Sequence, residues 1–444
     1  MRLFLPICAV GLLAAAEPAV TPRTLNLTLK NAVDIALAPD GNVRVMLANQ
    51  TIDEAEARAR QARSEFFPNI DGAVSERSQT TNLKTFGFSF TNIPAPFSIP
   101  SFVGPFSVFD ARVSVQQSVL DLSILRRYRA AKANVAAARL DSASTRNQVS
   151  DQIARAYLVC LRADAALESA HSDVDLSEAL VRLANSQKNA GTGTGIEVTR
   201  AQVQLANDRT HLTAAENDRM RAALQLMKDM GLDMDVTLQF SDKLALTPVE
   251  TAALEAAIDK GKKDRAELKT QRQREEAAHL TYGAVRAERL PTIGASGDYG
   301  SSGSEINDSR ATRSVGVSLK IPVFDGGRRA GRNAETLSQY EQERTRTHDL
   351  ERQVELEVRL AYTTLNAART AVQSAEEGVG LAENELAQAR RRYEAGVTNS
   401  IEVTDAQTRL ARARDTRVTA LYDYNLARLD LATATGSITE YVNQ

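Results

Sequence analysis

The stretch that decides the fold runs from Val354 to Tyr393 and reads VELEVRLAYTTLNAARTAVQSAEEGVGLAENELAQARRRY. Apolar or small residues recur along it at alternating steps of four and three: Val354, Val358, Ala361, Leu365, Ala368, Val372, Ala375, Val379, Ala382, Leu386, Ala389 and Tyr393. A seam of this spacing, sustained over several heptads, predicts a long helix that packs as in a coiled coil. The many alanines allow neighbouring helices to approach closely.

The region around this seam contains few helix breakers. No proline occurs between Arg328 and Tyr393, and a continuous helix of that length would reach about 100 Å at 1.5 Å per residue. We expect the chain to turn at Gly396 and to return as a second helix from about Ser400 to Thr435. Such a rod belongs to no compact soluble enzyme.

An earlier part of the chain repeats this helical hairpin. Ala190-Gly191 and Ile196–Thr199 match Ala395-Gly396 and Ile401–Thr404, 205 residues further on. The same offset predicts the first seam, in which only the last member is out of character: Val149, Ile153, Ala156, Cys160, Ala163, Leu167, Ala170, Val174, Ser177, Val181, Ala184 and Lys188. The first copy should therefore run from about Leu122 to Asn189 and turn at 191–195.

Each helical hairpin is preceded by a predicted β-hairpin, over 67–121 and 290–325. The first strands should start after Pro68 and Pro291, because proline is tolerated at the start of a strand. The last strand alternates an apolar set (Val315, Val317, Leu319, Ile321 and Val323) with a polar set (Ser314, Gly316, Ser318 and Lys320). This alternation is typical of a transmembrane strand between lipid and a lumen, although a half-buried soluble strand gives the same pattern.

The two β-hairpins differ in length. The first copy has 19 more residues between its strands, in a stretch rich in Phe and Pro that predicts an irregular surface loop over 80–108. In the second copy, the glycine-rich stretch 297–303 introduces the predicted turn.

Composition and the N-terminal residues narrow the class of protein. The 444 residues include 54 basic and 56 acidic side chains, which gives no reason to expect a nucleic-acid partner. Residues 1–16 are typical of a cleaved signal peptide, with lipidation of Cys8 as the alternative. After cleavage only Cys160 would remain, so no intrachain disulfide is expected and a buried structural thiol is the ordinary explanation.

Several motifs together resemble the TolC-like outer-membrane efflux family over nearly the whole mature chain: Leu27–Leu37, Phe67-Pro68, Leu290-Pro291, Pro322–Arg329, Tyr393–Gly396 and Ile401–Asp405. The resemblance implies a mainly α fold with transmembrane β-structure. In it, a homotrimer forms a β-barrel in the outer membrane that continues into a coiled-coil α-helical barrel in the periplasm. It also implies a passive exit channel, without catalysis or cofactor, that contacts outer-membrane lipid, a periplasmic adaptor and an inner-membrane transporter.

The predicted organisation is a signal peptide over 1–16 followed by two repeats, 17–248 and 249–444. The first repeat holds a helix, the β-hairpin 67–121 and the helical hairpin 122–230. The second holds a helix, the β-hairpin 290–325 and the helical hairpin 328–435.

The candidate functional residues lie at the turns of the helical hairpins. Glu402 and Asp405 match the acidic rings that the family carries at the periplasmic entrance, and their i, i+3 spacing places them on one helix face. Acidic residues in a first helical turn also complement the helix dipole, which is the simpler explanation from the residues alone, whereas the resemblance favours the entrance role. The equivalent residues of the first copy are Glu197 and Arg200.

The resemblance also implies a latch and two contact points. Glu197, Tyr393 and Thr398 match the latch that closes the entrance, but Thr398 stands where a basic residue is expected. Arg200 and Arg392 (the second within the run 390–392) are the candidates for that missing base. Gly191 and Gly396 match the tips that adaptors contact, although a tight turn requires glycine there as well.

Other functions find less support in the sequence. A periplasmic coiled-coil adaptor is the alternative class, but adaptors usually carry one helical hairpin. Residues 191–195 follow no strand and precede no Lys-Ser or Lys-Thr, unlike a phosphate loop. The four histidines have no metal-ligand spacing, and no nucleophile elbow occurs. The cargo and the particular transporter are not determined by the sequence.

Overall fold

The computed structural model describes residues 24–39, 41–86, 102–247 and 253–443. The predicted signal peptide with Cys8, and residues 87–101 of the predicted loop, lie outside these ranges. In chain order the elements are β1 (Thr24–Leu27), α1 (Leu29–Ala36), α2 (Val43–Ser64), β2 (Asn69–Asn82), β3 (Phe102–Leu120), α3 (Leu122–Asn189), α4 (Gly195–Met230), β4 (Thr237–Phe240), α5 (Leu254–Asp264), α6 (Ala266–Ala287), β5 (Thr292–Gly303), β6 (Arg310–Lys320), α7 (Arg328–Glu394), α8 (Ser400–Ala434) and α9 (Ile438–Val442).

The two predicted helical hairpins are confirmed. They are α3 with α4 and α7 with α8, and α3 also packs against α8, so the four helices lie side by side in the order α4, α3, α8, α7. Side chains cap the N-termini of α3 and α8: Asp121 accepts from Ser123 N at 2.8 Å, and Asn399 accepts from Ile401 N at 3.0 Å. In the described ranges, none of the helices has an apolar stretch long enough to cross a membrane.

The predicted seam of α7 is confirmed at every position, because all twelve residues are buried. The seam predicted for α3 is only partly right. Six of its members are buried, five are half-buried, and Lys188 is exposed. The reason is that α3 packs against α2, α4, α6 and α8, so burial spreads around the helix to Tyr157, Leu158 and Leu161 instead of following one stripe.

The long strands form one antiparallel sheet in the order β2-β3-β5-β6. As predicted, β2 and β5 begin directly after Pro68 and Pro291. The two β-hairpins meet where β3 pairs with β5, and an ion pair of 2.9 Å between Arg112 and Asp298 crosses this contact. The sheet thus joins the two halves of the chain at one end of the rods.

The predicted bounds of the first β-turn were too wide. The segment expected to be a loop over 80–108 contains the end of β2 and the start of β3, with Pro105 inside the strand. The pairing tolerates this proline because the register of β2 with β3 shifts between Gln79 and Thr81. In the second copy the glycine-rich stretch 297–303 forms the end of strand β5, and the turn follows it, as predicted. A Cβ at Gly300 would lie 2.4 Å from Arg112 Cβ, so glycine there serves close strand approach.

A small parallel pair of strands, β1 with β4, was not predicted. It packs against the middle of α3 around Tyr157, a region that we call the waist. The buried Tyr157 hydroxyl of α3 lies 3.0 Å from the carbonyl oxygen of Leu27 in β1 and 2.8 Å from Asp242 Oδ2, just after β4. Burial, with the hydrogen bond to Asp242, raises the pKa of this phenol far above its usual range. The waist core joins both ends of the chain and includes Leu27, Val33, Val45, Leu226, Met230 and Leu429.

We expect the Cys160 thiol to be unreactive in the folded protein. It is 1% exposed, and burial raises its pKa to about 12, so almost no thiolate forms at pH 8. A water-soluble maleimide should label it only after denaturation. The exposed site Ser186→Cys, introduced into a Cys160→Ser background, is the control and should react at once. Rapid labelling of native Cys160 would contradict the prediction.

Candidate functional site at the helical tips

The two inter-helix turns share a left-handed glycine. Gly191 and Gly396 have φ values of 75° and 70°, and a Cβ at either would meet nothing within 4 Å. Backbone conformation, not space, therefore requires glycine at these positions. After the first turn Thr194 caps α4, and its backbone N donates to Glu197 Oε2 at 2.8 Å.

The second turn holds the carboxylate of Glu402 from both sides. Arg392 Nε lies 3.1 Å from Glu402 Oε1, and the Thr398 hydroxyl donates to the other oxygen. The Arg392 and Glu402 side chains are 57% and 40% exposed, and ion pairs this accessible to solvent are modest in strength. Of Arg200 and Arg392, the two candidates for the missing base of the latch, Arg392 contacts Glu402, which belongs to the predicted acidic entrance and not to the latch.

Asp405 and Arg200 stand apart from these contacts. Both are exposed, and within the described ranges neither takes part in any of the ion pairs or side-chain hydrogen bonds found. The full negative charge of Asp405 therefore faces solvent in the single chain, whereas that of Glu402 is opposed by Arg392.

Tyr393 lies inside the tip, where the two hairpins touch. It is 5% exposed, and burial raises the pKa of its phenol, with the Glu197 carboxylate adding to the effect. Gln187 Nε2 of α3 donates to the backbone oxygen of Tyr393 at 3.3 Å. The structure thus brings together Glu197 and Tyr393, two of the predicted latch residues, while Thr398 contacts Glu402 instead.

A buried polar network behind the tips escaped the sequence reasoning. Asp208 accepts from Gln204 Nε2 at 2.9 Å and from the Ser177 hydroxyl, and Gln407 Nε2 lies 2.5 Å from Ser177 Oγ. The network links α4, α3 and α8. Its one signal in the sequence was the serine at position 177, within the run of apolar and small residues of the seam.

A second cross-hairpin contact lies further from the tips. Arg414 of α8 and Asp173 of α3 form an ion pair of 2.9 Å. Burial raises the pKa of Asp173 even though the Arg414 charge opposes this shift. No group of three or more His, Cys, Asp or Glu side chains that could hold a metal occurs in the described part of the chain.

Known proteins share both sequence and fold with this chain. The alkaline protease secretion protein AprF of Pseudomonas aeruginosa is 25% identical over 321 residues, covering 70% of this chain and 66% of AprF. Outer membrane protein TolC of Vibrio cholerae is 25% identical over 312 residues, covering 67% of this chain and 70% of that protein.

A crystal structure of a membrane protein from Pseudomonas aeruginosa superposes with a TM-score of 0.78 at 20% identity and covers 92% of this chain and 93% of that one. The family model described as outer membrane efflux protein matches residues 35–232 and 257–437. These two segments include both helical hairpins and all four strands of the sheet. The chain belongs to the outer membrane efflux protein family.

Proposed function

We propose that several copies of this chain, three by the family resemblance, assemble into an exit duct that runs from the periplasm through the outer membrane. The observation that carries the proposal is a four-stranded sheet that continues directly into two helical hairpins. In the described residues β2 and β6 are the outer strands of this sheet. Lipid does not tolerate unpaired strand edges, so further copies must cover them.

The face of β6 that would meet lipid is apolar. Val315, Val317 and Leu319 are 87%, 77% and 62% exposed in the single chain, and the residues between them are polar or glycine. A wide apolar surface of this kind needs a nonpolar environment. The acyl chains of the outer membrane supply it in the assembly proposed here.

We expect Val317→Arg to lower the amount of heat-labile oligomer in the outer-membrane fraction sharply. An arginine on the lipid side of a barrel strand costs about 2–4 kcal/mol near the bilayer midplane, and each copy in the oligomer would carry it. Ser318→Arg, one residue on and pointing to the opposite face, is the matched control and should assemble. Equal loss for both variants, seen on unheated gels, would contradict a lipid-facing Val317.

The proposed partners are a periplasmic adaptor at the tips and an inner-membrane transporter behind it. The support is the family, whose members include a protease secretion protein, together with the open turns at Gly191 and Gly396. Deletion of the gene should cause loss of either drug resistance or a secreted protein, and the affected cargo would separate an efflux pump from a type I secretion system.

The exit-duct proposal is tested directly by the state of the purified protein. Heat-labile trimers in the outer-membrane fraction support it, and a soluble periplasmic monomer would overturn it. The adaptor alternative predicts one helical hairpin, whereas this chain has two hairpins and a four-stranded sheet. The matched family is likewise one of outer-membrane proteins.

Within this duct we assign the entrance to the helical tips. Symmetry about the tunnel axis would bring the copies of Glu402 and Asp405 together as a carboxylate constriction that favours cations. Arg392 and Thr398 hold Glu402 within its own hairpin, while Glu197 and Tyr393 lie between the two hairpins. Arg200, exposed at the first tip, is available to a neighbouring copy.

A further inference from the structure

A small cavity lies between the four tunnel helices, directly behind the tips, with a volume of about 20 Å³. Tyr393, Ser400 and Gln407 line it and are only 5%, 8% and 3% exposed. Tyr393 Oη, Ser400 Oγ and Gln407 Oε1 have no hydrogen-bond partner within the described part of the chain. Buried polar atoms of native proteins are nearly always hydrogen-bonded, so three such atoms around one cavity require an explanation.

The polarity of these groups follows from the network beside them. Ser177 gives its only hydroxyl proton to Asp208, which can only accept while it is ionised. Ser177 Oγ must therefore accept from the Gln407 amide nitrogen, 2.5 Å away. This fixes the orientation of the amide and leaves Gln407 Oε1 as the acceptor beside the cavity, with the Tyr393 and Ser400 hydroxyls as the donors.

We propose that the cavity binds one water molecule, which accepts from the Tyr393 and Ser400 hydroxyls and donates to Gln407 Oε1. A cavity of about 10–15 Å³ or more holds a water when two to four polar groups surround it. We assign the second proton of the water to the Glu197 carboxylate, because Glu197 also lines the cavity, while its Oε2 accepts from Thr194 N. Two donors and two acceptors match the hydrogen-bonding capacity of water.

A monovalent cation fits the same groups less well. Both hydroxyls would have to turn their lone pairs toward the ion, which would leave their protons without an acceptor. Three of the four groups are also uncharged, whereas a buried cation requires compensating negative charge.

The bound water completes a hydrogen-bonded chain through all four helices. The chain runs from Asp208 on α4 to Ser177 on α3, Gln407 on α8, the water, and Tyr393 at the end of α7. It ties the two helical hairpins together behind the entrance and does not depend on the proposed channel function.

The test is a structure of the purified wild-type oligomer at a resolution that shows ordered water. We expect a density peak about 2.6–3.2 Å from Tyr393 Oη, Ser400 Oγ and Gln407 Oε1. An empty cavity in which these side chains bond one another directly would overturn the proposal. An anomalous peak at this place after a thallium(I) soak would also overturn it, in favour of a cation.

Thermal unfolding of Tyr393→Phe, Ser400→Ala and the double variant gives a second test. Each single change removes one donor to the same water, so the double variant should lose clearly less stability than the two single losses added together. The control pair combines Tyr393→Phe with Ser186→Ala, whose exposed hydroxyl donates to the Arg182 carbonyl, and should be additive. Additive losses in the first pair would overturn a shared water.

Discussion

In planar bilayers, Asp405→Asn should raise the concentration of a trivalent cation needed to block the channel by at least about tenfold and should lower its preference for cations. Two unit charges about 4 Å apart interact by about 1 kcal/mol even in water, and about 1.4 kcal/mol is a factor of ten. A trivalent ion on the axis of the proposed trimer would lose this attraction to three carboxylates together.

Glu402→Gln should have the smaller effect of the two. Arg392 lies 3.1 Å from this carboxylate, so the pair already presents little net charge to an ion in the entrance. By the same reasoning, Arg392→Gln should strengthen the block, because it leaves Glu402 unopposed. Stronger block by the trivalent cation in Arg392→Gln would therefore place this ion pair at the entrance. Unchanged block would place it outside the conduction path.

A control for general charge effects is available on the neighbouring helix α7. Glu377 is exposed on α7 and lies well away from the tip, and Glu377→Gln should leave both block and selectivity unchanged. If Asp405→Asn also left them unchanged, the constriction would lie elsewhere in the tunnel.

The sequence determined the long helices well because one-sided packing leaves a period. Along α7 every third or fourth residue is buried against α8 and its neighbours, and all the seam residues were correctly predicted. The same reasoning failed for much of α3, because a helix with neighbours on several sides buries residues such as Tyr157 and Leu161 that lie off the stripe. Periodicity records how many faces are covered, but it does not identify the partners.

Contacts between distant parts of the chain could not be predicted. The pairing of β1 with β4 joins four-residue strands more than 200 positions apart, and neither strand is long enough to show an alternating pattern. At the tips, the resemblance left Arg200 and Arg392 as equal candidates for the missing base. Only the coordinates of the turn bring Arg392 to Glu402, because side-chain reach across a hairpin depends on the turn geometry.

The second large effect concerns Gly231, which ends α4 at the waist. It has a φ of 72°, and a Cβ there would lie 2.1 Å from the backbone oxygen of Gly41. Asn42, next to Gly41, donates to the Asp229 carbonyl at 3.1 Å, so the loop after α1 is held tightly against this helix end. We expect Gly231→Ala to destabilise the protein by about 3 kcal/mol or more, combining left-handed strain with a clash against backbone that cannot rotate away.

Gly396→Ala is the matched control, because its φ is 70° and a Cβ there meets nothing within 4 Å. It carries the conformational strain alone and should cost about 1–2 kcal/mol. Thermal unfolding of the purified oligomer measures both, and equal losses would show that the contact with Gly41 contributes nothing. A larger loss at Gly231 would show that the packing of Gly41 against the end of α4 adds to the conformational strain. The turn at Gly396 has no such packing and carries the strain alone.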